Sequence, residues 1–295
     1  MQQELGETRS HTYGVALVTA AAVLWSTAGL FVRLIDLDVW TTLAWRSLFA
    51  ALSLALIVGM QRRWRMMGVV RAIGRPGLLA IPIAAVSMGA YVIALKLTTV
   101  ANVMVVYATV PFVAAGIAFL WIGERVESRV LTVSAFALVG IVIVAGSATR
   151  PQDVAGNAIA FLMTIAFAGQ LVMARRYRTL DMAPVNAIAA ALCAAICWPL
   201  VAPGLPSAYQ LAMLALFGIT NTALAYLLYL IGGRHIASSE AGLIGLLDVV
   251  LAPFWVWLAF TERPDQATLI GGSIVLASVL WYLVGQRQGV PPRKT

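Results

Sequence analysis

The sequence has few charged residues and almost none of the groups that bind metals or nucleotides. Of its 295 residues only 11% are charged, and it contains two His and two Cys. Its two lysines, Lys96 and Lys294, follow no Gly-x-x-x-x-Gly pattern, which argues against a nucleotide-binding loop and ATP-driven transport. His11 and His235 are too scattered to predict a metal cluster. We therefore expect no metal and no other cofactor.

Apolar residues dominate what is present. The chain is 61% hydrophobic with a mean hydropathy of +0.91, whereas a soluble domain is about half apolar and about a quarter charged. This composition predicts a protein that lies in lipid. Cys193 and Cys197 stand four residues apart in one apolar segment, and we interpret them as small buried hydrophobes rather than a disulfide or metal site.

The apolar residues form ten segments of about 20 residues, each long enough to cross a bilayer as a helix. The first is too long for a signal peptide and lacks a clear cleavage site, so we expect it to be retained. The sequence therefore predicts an all-α membrane protein with ten transmembrane helices, at residues 13–31, 39–60, 76–95, 101–122, 130–147, 156–174, 184–201, 210–231, 239–260 and 267–284.

The basic residues predict the orientation of these helices. The net charge is +8, and the positive residues cluster in short linkers, which favours a topology signal over binding to nucleic acid. With the N-terminus inside, fifteen of the 20 Lys and Arg lie on the inner side and Arg46 lies within a span. The outer side holds Arg33, Lys96, Arg150 and Arg263. Both termini are therefore predicted to be cytoplasmic.

The two halves of the sequence resemble each other. The Glu-Arg pair at residues 124–125 matches the pair at 262–263 with an offset of 138, and near the start of each half Trp25 matches Phe167 with an offset of 142. We interpret the Glu-Arg pairs as structural helix ends rather than an active site. Because five helices is an odd number, the second half must cross the membrane in the opposite sense, as in the inverted repeats of secondary transporters.

The repeat divides the chain into five parts. These are a cytoplasmic tail (1–12), a first five-helix repeat (13–147), an extracytoplasmic linker (148–155), a second five-helix repeat (156–284) and a second cytoplasmic tail (285–295). In inverted repeats the substrate site lies near the midplane between the halves, so we expect a central cavity there.

Each half has a fourth helix that contains proline and ends in Glu-Arg, "YATVPFVAAGIAFLWIGER" and "LLDVVLAPFWVWLAFTER". With the two five-helix halves, these motifs resemble the drug/metabolite transporter superfamily, most closely its EamA-type ten-helix exporters and, among them, the YddG-type exporters of aromatic and other amino acids. The resemblance covers residues 13–284. The sequence departs from the family pattern in the second half. Val249 stands at the position that matches Pro111, and Pro253 lies later in its helix than Pro111 does.

The resemblance implies a basket of helices in a bacterial inner membrane. The first, third, fourth, sixth, eighth and ninth helices would line the central cavity, the second and seventh would lie outside them, and the fifth and tenth would support the rest. It also implies a small-molecule substrate and no enzymatic activity. It leaves the oligomeric state open, although a monomer is compatible with it.

Asp248 is the acidic residue that lies well inside a predicted span. A carboxylate in the membrane is costly and is by default a functional hypothesis. Asp248 could bind a substrate amine or carry a proton, or it could form a structural pair with Arg46. Arg46 could instead hold a substrate carboxylate, but the predicted peripheral position of its helix favours pairing with Asp248 or with backbone carbonyls.

Aromatic and polar side chains at mid-membrane depth form the remaining candidate site. Aromatic stripes more often reflect packing than a pocket, but polar groups at this depth need partners or water. A cavity with aromatic walls and a few amide and hydroxyl groups suits a small amphipathic solute. The predicted substrate-binding residues, together with Asp248, are Trp25, Ser26, Ser87, Met88, Tyr91, Tyr107, Met163, Phe167, Gln170, Asn221, Thr222 and Tyr226.

These features favour a secondary transporter that exports amino acids or similar amphipathic metabolites by alternating access. The alternatives are efflux of drugs, a channel, a nucleotide-sugar carrier and a membrane-embedded enzyme. A cationic-drug exporter would need a carboxylate in the first helix, and "AAAVLWSTAGL" has none. An enzyme would need a catalytic constellation, which two scattered histidines do not supply.

The predicted orientation can be tested with C-terminal fusions. We expect green fluorescent protein fused after Thr295 to fluoresce, because the basic linkers place that end in the cytoplasm. Alkaline phosphatase, which is active only outside the cytoplasm, should be inactive at the same position. The opposite pair of activities would contradict the predicted topology.

Overall fold

The computed structural model describes residues 2–61, 66–123, 128–146, 151–177, 179–236 and 238–288, and all regular structure in these ranges is helical. A 3-10 turn (Trp198–Leu200) follows α9, and a π-helical segment (Phe217–Leu224) joins α10 to α11. The α-helices are α1 (Gln2–Ser26), α2 (Ala28–Leu34), α3 (Val39–Gln61), α4 (Met66–Leu97), α5 (Val100–Tyr107), α6 (Val110–Ile122), α7 (Ser128–Gly146), α8 (Pro151–Arg176), α9 (Met182–Cys197), α10 (Ala208–Leu216), α11 (Ala225–Gly232), α12 (Ser238–Phe260) and α13 (Gln266–Gln288).

Seven helical segments in the described part of the chain are long and apolar enough to cross a membrane: His11–Leu34, Val39–Gln61, Ile73–Leu97, Val100–Ile122, Pro151–Arg176, Met182–Leu200 and Ala208–Gly232. The other three predicted spans contain shorter apolar helices, Thr132–Gly146, Leu247–Phe260 and Gln266–Trp281. The number of crossings therefore stays a prediction, while the all-helical class is confirmed for the described residues.

Two of the predicted spans are interrupted helices. The first breaks at Thr27, whose hydroxyl donates to the carbonyl of Leu24 (2.6 Å), and the fourth breaks before Thr109, whose hydroxyl donates to the carbonyl of Val106 (2.6 Å). A threonine that bonds back to an earlier carbonyl competes with the helical hydrogen bond and bends the chain. Pro111 lies in the first turn of α6, where its missing N–H costs nothing.

Helices of the first half pack on helices of the second half in matched pairs. α4 packs on α8, and α11 packs on α1. In both contacts the third span of one half packs on the first span of the other half. The pair α6 and α8 is mirrored by α12 and α1, while α3 packs on α9 and α7 on α13. The two halves are interlocked, and the space enclosed by these pairs is where a central cavity can form.

The ends of the helices meet at two opposite faces. At one, the Arg33 face, Arg33 after the first span donates to Glu262 (2.8 Å) and to the carbonyls of Leu95 (2.6 Å) and Thr98 (2.9 Å). Glu262 also accepts the backbone amide of Val100 at the start of α5 (3.0 Å). These contacts join the two repeats by an ion pair. The matching Glu-Arg pair at 124–125 lies outside the described residues.

The opposite end is the Arg176 face, where α6, α8 and α11 end and α9 begins. Arg176 donates to the carbonyl of Trp121 (3.3 Å) and lies over its ring, with 5.6 Å between the guanidinium carbon and the ring centroid. The rings of Tyr13 and His235 meet edge to face with 5.7 Å between centroids. Aromatic and basic side chains of this kind are typical of a membrane surface.

Asp38 fixes the start of α3 at the Arg33 face. Its carboxylate accepts the backbone amides of Trp40 (2.9 Å) and Thr41 (3.0 Å), which are unpaired donors of the first helical turn. Burial by itself would raise the pKa of the Asp38 carboxyl, but the hydrogen bonds from Thr41 and Trp40 outweigh it and hold the pKa below its usual value. Asp38 is therefore ionised at neutral pH and caps this helix.

Two glycines allow α7 and α13 to approach each other closely. A Cβ atom on Gly140 would lie 2.6 Å from the carbonyl oxygen of Gly271, and a Cβ atom on Gly271 would meet the carbonyl oxygen of Gly140 even more closely. Small residues at such crossings let membrane helices pack backbone to backbone.

We expect Gly271→Ala to destabilise the protein, because the added methyl group overlaps a backbone atom that cannot rotate away. Overpacking of this kind costs about 1–3 kcal/mol, partly offset by the better helix propensity of alanine. Thermal unfolding in detergent should show a lower midpoint than the wild type. Gly116→Ala is the matched control, since a Cβ atom there meets nothing within 4 Å. Equal midpoints for the two variants would contradict the close crossing.

Candidate functional site

A cavity of about 180 Å³ lies between the two halves. This is smaller than the roughly 300–1,000 Å³ of pockets that hold drug-sized ligands, so it favours a small solute. Its walls come from α1, α3, α4, α5, α8, α9, the π-helical segment, α11 and α12. The lining residues are Trp25, Arg46, Leu54, Ser87, Met88, Tyr91, Tyr107, Met163, Phe167, Gln170, Asn186, Asn221, Thr222, Tyr226 and Asp248.

The structure brings together every predicted site residue except Ser26. Ser26 is fully buried, donates to the carbonyl of Val23 (2.7 Å) and accepts the indole N–H of Trp255 (2.9 Å). It therefore joins α1 to α12 and is not among the residues that line the cavity. Ser26 and Trp25 are neighbours in the chain, but their side chains lie on different faces of α1, and only Trp25 faces the cavity.

Three lining residues were not on the predicted site list. The resemblance implies that the helix of Arg46 is peripheral, the predicted site does not include Asn186, and Leu54 carries no signal that distinguishes it from other apolar residues. Asn186 could have been found, because a side-chain amide within a predicted span needs a partner or water.

Aromatic rings from both halves form the apolar walls. Trp25 of α1 packs against Tyr229 of α11, with 5.2 Å between ring centroids, and Tyr107 of α5 packs against Phe167 of α8 at 5.7 Å. Each contact joins one half of the chain to the other. Such pairs combine a large apolar surface with a preferred ring geometry, so the walls are apolar and their aromatic side chains are held in position.

Asn221 connects the π-helical segment to the break in the first span. Its side-chain amide donates to the carbonyls of Leu24 (3.1 Å) and Trp25 (2.9 Å) in the last turn of α1, and the Leu24 carbonyl also accepts the hydroxyl of Thr27. Irregular backbone at membrane depth is tolerated where such partners satisfy it or where it lines a cavity. Here it does both.

Arg46 reaches the cavity from α3. It is 4% exposed, its Nη2 donates to the hydroxyl of Thr222 (3.2 Å), and its guanidinium carbon lies 4.5 Å from the centroid of the Phe217 ring. A Cβ atom on Gly218 would lie 2.6 Å from the carbonyl oxygen of Arg46, so this glycine lets α3 approach the π-helical segment. The close approach brings the guanidinium to the cavity, so α3 contributes to the cavity wall although the resemblance implies a peripheral position for this helix.

Asp248 lines the same cavity from α12. It is 6% exposed, and its Oδ1 has no hydrogen-bond partner. The hydroxyl groups of Tyr91 and Tyr107 lie within Coulombic range of its carboxyl group, and Tyr91 is also within range of Arg46. No ion pair within 4.0 Å joins Arg46 to Asp248, both of which belong to the described residues, so the predicted structural pair is not found.

The cavity extends from mid-membrane toward the Arg176 face. Asn186 lies about one turn into α9 from that face, whereas Trp25 and Tyr107 lie about two turns from the helix ends at the Arg33 face. A chain of polar contacts fills the Arg33 side. In it Thr268 donates to Asn102 (2.6 Å), Asn102 donates to Thr98 (3.3 Å) and Thr98 donates to Asp153 (3.2 Å). Among the described residues no group of His, Cys, Asp and Glu could hold a metal ion.

Comparison with known proteins gives one family and one fold. A model of the EamA-like transporter family matches residues 12–146 and 154–284, which is one match for each half. No curated protein matches the chain. Twenty-one chains of solved structures match, including a crystal structure of a protein that is 18% identical, with a TM-score of 0.63, over 95% of this chain and 99% of that one. At this identity the likeness shows the fold alone.

Cysteine labelling can test the position of the cavity mouth. In a Cys193→Ala/Cys197→Ala background, we expect Asn186→Cys to react with a membrane-impermeant maleimide, because Asn186 lines the cavity about one turn from the Arg176 face. Asn157→Cys is the matched control, since Asn157 is 9% exposed near the Arg33 end of α8 and its side chain makes no hydrogen bond. Mass spectrometry should find the first variant labelled and the second unlabelled. Labelling of Asn157→Cys alone would contradict the placement of the mouth.

Proposed function

The chain belongs to the EamA-like transporter family, and from this premise we propose that it exports amino acids with apolar side chains by alternating access. Members of the family are small-molecule transporters rather than enzymes. The chain is accordingly a multi-pass integral membrane protein with a small-molecule substrate in a lipid environment. Efflux of drugs or other amphipathic metabolites by the same mechanism is the alternative.

The lining of the cavity is the observation that carries the proposed substrate class. Aromatic rings such as Trp25 and Phe167 offer apolar surface, while the amides of Gln170 and Asn186 and the carboxyl group of Asp248 offer hydrogen bonds. An α-amino acid with an apolar side chain has the same division into a polar head and an apolar body. We propose the twelve predicted residues that line the cavity as its binding site.

We propose ten crossings in two inverted repeats, 13–147 and 156–284, in a bacterial inner membrane. The linker at 148–155 would be extracytoplasmic, and the tails at 1–12 and 285–295 would be cytoplasmic. The support comes from the mirrored packing of α4 on α8 and α1 on α11, and from the family match in each half. In this orientation the Arg176 face is cytoplasmic, and the cavity is open to the inside.

The contacts at the Arg33 face favour the proposed transporter over a channel. At the Arg33 face, Glu262 and its partners hold the helix ends together, while the cavity reaches toward the other face. A conducting channel would need a path through both. Exchange between the two repeats would open the Arg33 face and close the Arg176 face, as in other inverted-repeat transporters.

Efflux from proteoliposomes tests the substrate class. Purified protein should release preloaded, radiolabelled leucine and phenylalanine, and the rate should saturate and show counterflow, because alternating access carries solute in discrete turnovers. Phe167→Ala should slow phenylalanine efflux at low concentration about tenfold, since it removes an aromatic wall contact. Phe161→Ala, which replaces a 44% exposed side chain on the same helix, should have no effect.

Two results would count against this proposal. Efflux of none of a panel of the 20 amino acids would exclude the substrate class while leaving the family assignment intact. Efflux that never saturates and shows no counterflow would instead favour a channel.

A further inference from the structure

We propose that Arg46 and Asp248 are the two charge-binding groups of the cavity, so that Arg46 binds the carboxylate and Asp248 the ammonium group of one zwitterionic amino acid. This inference rests on the proposed function and deepens it. It assigns a role to Arg46, and it makes Asp248 one of two oppositely charged groups that bind the same substrate. We call these two groups the cationic pole (Arg46) and the anionic pole (Asp248) of the site.

Arg46 is a permanent cation that has no anionic partner among the residues that the structure describes. An arginine guanidinium stays charged in proteins, and burying a charge is costly unless it is paired. Arg46 has the neutral hydroxyl of Thr222 and the face of the Phe217 ring, while its Nε has no partner. A substrate carboxylate would provide the missing negative charge and accept hydrogen bonds from the planar guanidinium.

Asp248 lacks a hydrogen-bond donor and a positively charged partner among the described residues. Its Oδ1 is buried without a hydrogen-bond donor, and the neighbouring groups within Coulombic range are the phenols of Tyr91 and Tyr107. A substrate ammonium group has three N–H donors and would supply both the hydrogen bond and the positive charge. Neither phenol can supply a positive charge.

The two side chains face one cavity but do not neutralise each other directly. A purely structural pair would form an ion pair, and none is found within 4.0 Å between these two described residues. Tyr91 is within Coulombic range of both. A zwitterion fits such a site because it compensates both charges, whereas a simple amine or a simple acid compensates one and leaves the other uncompensated.

The backbone around Arg46 holds the cationic pole in place. Gly218 allows the π-helical segment to touch the backbone of Arg46, and Thr222 of the same segment accepts the hydrogen bond from its guanidinium. The apolar walls at Trp25 and Phe167 line the same cavity and can take the substrate side chain. Charge and apolar contacts together match the two parts of one amino acid.

Three ligands with the same apolar body can distinguish the contributions of Arg46 and Asp248 to binding. They are leucine, isopentylamine, which lacks the carboxylate, and 4-methylpentanoate, which lacks the ammonium group. Isothermal titration calorimetry with the purified wild type should give the tightest binding for leucine. Titration of detergent-solubilised protein avoids the passive leak of the amine and the acid through liposomes.

The variants should divide the ligands by charge. Arg46→Gln should weaken leucine and 4-methylpentanoate about 10- to 100-fold and leave isopentylamine unchanged, because a lost charge-assisted hydrogen bond is worth about that factor. Asp248→Asn should weaken leucine and isopentylamine by a similar factor and leave 4-methylpentanoate unchanged. The ligand whose binding is retained also shows that each variant is folded.

Controls come from the neighbours of each pole. Ser47→Ala replaces a buried hydroxyl without a hydrogen-bond partner next to Arg46, and Leu247→Ala replaces a 38% exposed side chain next to Asp248. Neither residue lines the cavity, so both variants should bind all three ligands as the wild type does.

Equal weakening of all three ligands by Arg46→Gln would overturn the inference and give Arg46 a structural role. Unchanged affinities for Asp248→Asn with loss of the pH dependence of transport would make Asp248 a proton carrier and overturn it too. A wild type that transports leucine while its variants fail to separate the ligands overturns this inference alone. A wild type that neither binds nor transports any amino acid overturns the proposed function with it.

Discussion

Glu262 accepts hydrogen bonds from Arg33 and from the amide of Val100, and so joins the ends of α2, α5 and α12 across the two repeats. Arg33 extends the connection to the carbonyls of Leu95 and Thr98 at the end of α4. The contacts from Thr268 to Asn102 and from Thr98 to Asp153 also join helices of the two halves near this face. This junction lies about two turns beyond Trp25 and Tyr107, at the end of the cavity that is nearest the Arg33 face.

The bilayer explains why polar contacts decide so much of the structure. In lipid there is no water to satisfy a backbone or side-chain group, so the protein must supply each partner itself. At the helix breaks Thr27, Thr109 and Asn221 supply such partners. Arg46 and Asp248 each keep a buried polar atom without a partner. Ser47 and Asn157 also keep unpartnered atoms, but Arg46 and Asp248 are the two such residues that line the cavity, where a solute can supply the missing partner.

The sequence predicts which polar and aromatic residues lie within an apolar segment, but it does not predict which way each side chain points. A tyrosine or amide within an apolar run is costly to place in lipid, so residues such as Tyr91, Gln170 and Asn221 could be assigned to the cavity without coordinates. Ser26 has the same depth as Trp25 but points toward Trp255, because adjacent residues on a helix face different directions. The position of Arg46 depends on a close approach at Gly218, a contact between residues far apart in sequence that no local pattern encodes.

The position of the Arg33–Glu262 pair has a consequence for the balance between conformations. Both side chains are 23% exposed, so ions in the medium can screen their attraction. In the proposed cycle this pair must separate before solute can leave, and each kcal/mol that it contributes makes the open state about fivefold rarer. The salt concentration outside the cell would then set how often the Arg33 face opens, independently of the affinity of the cavity for substrate.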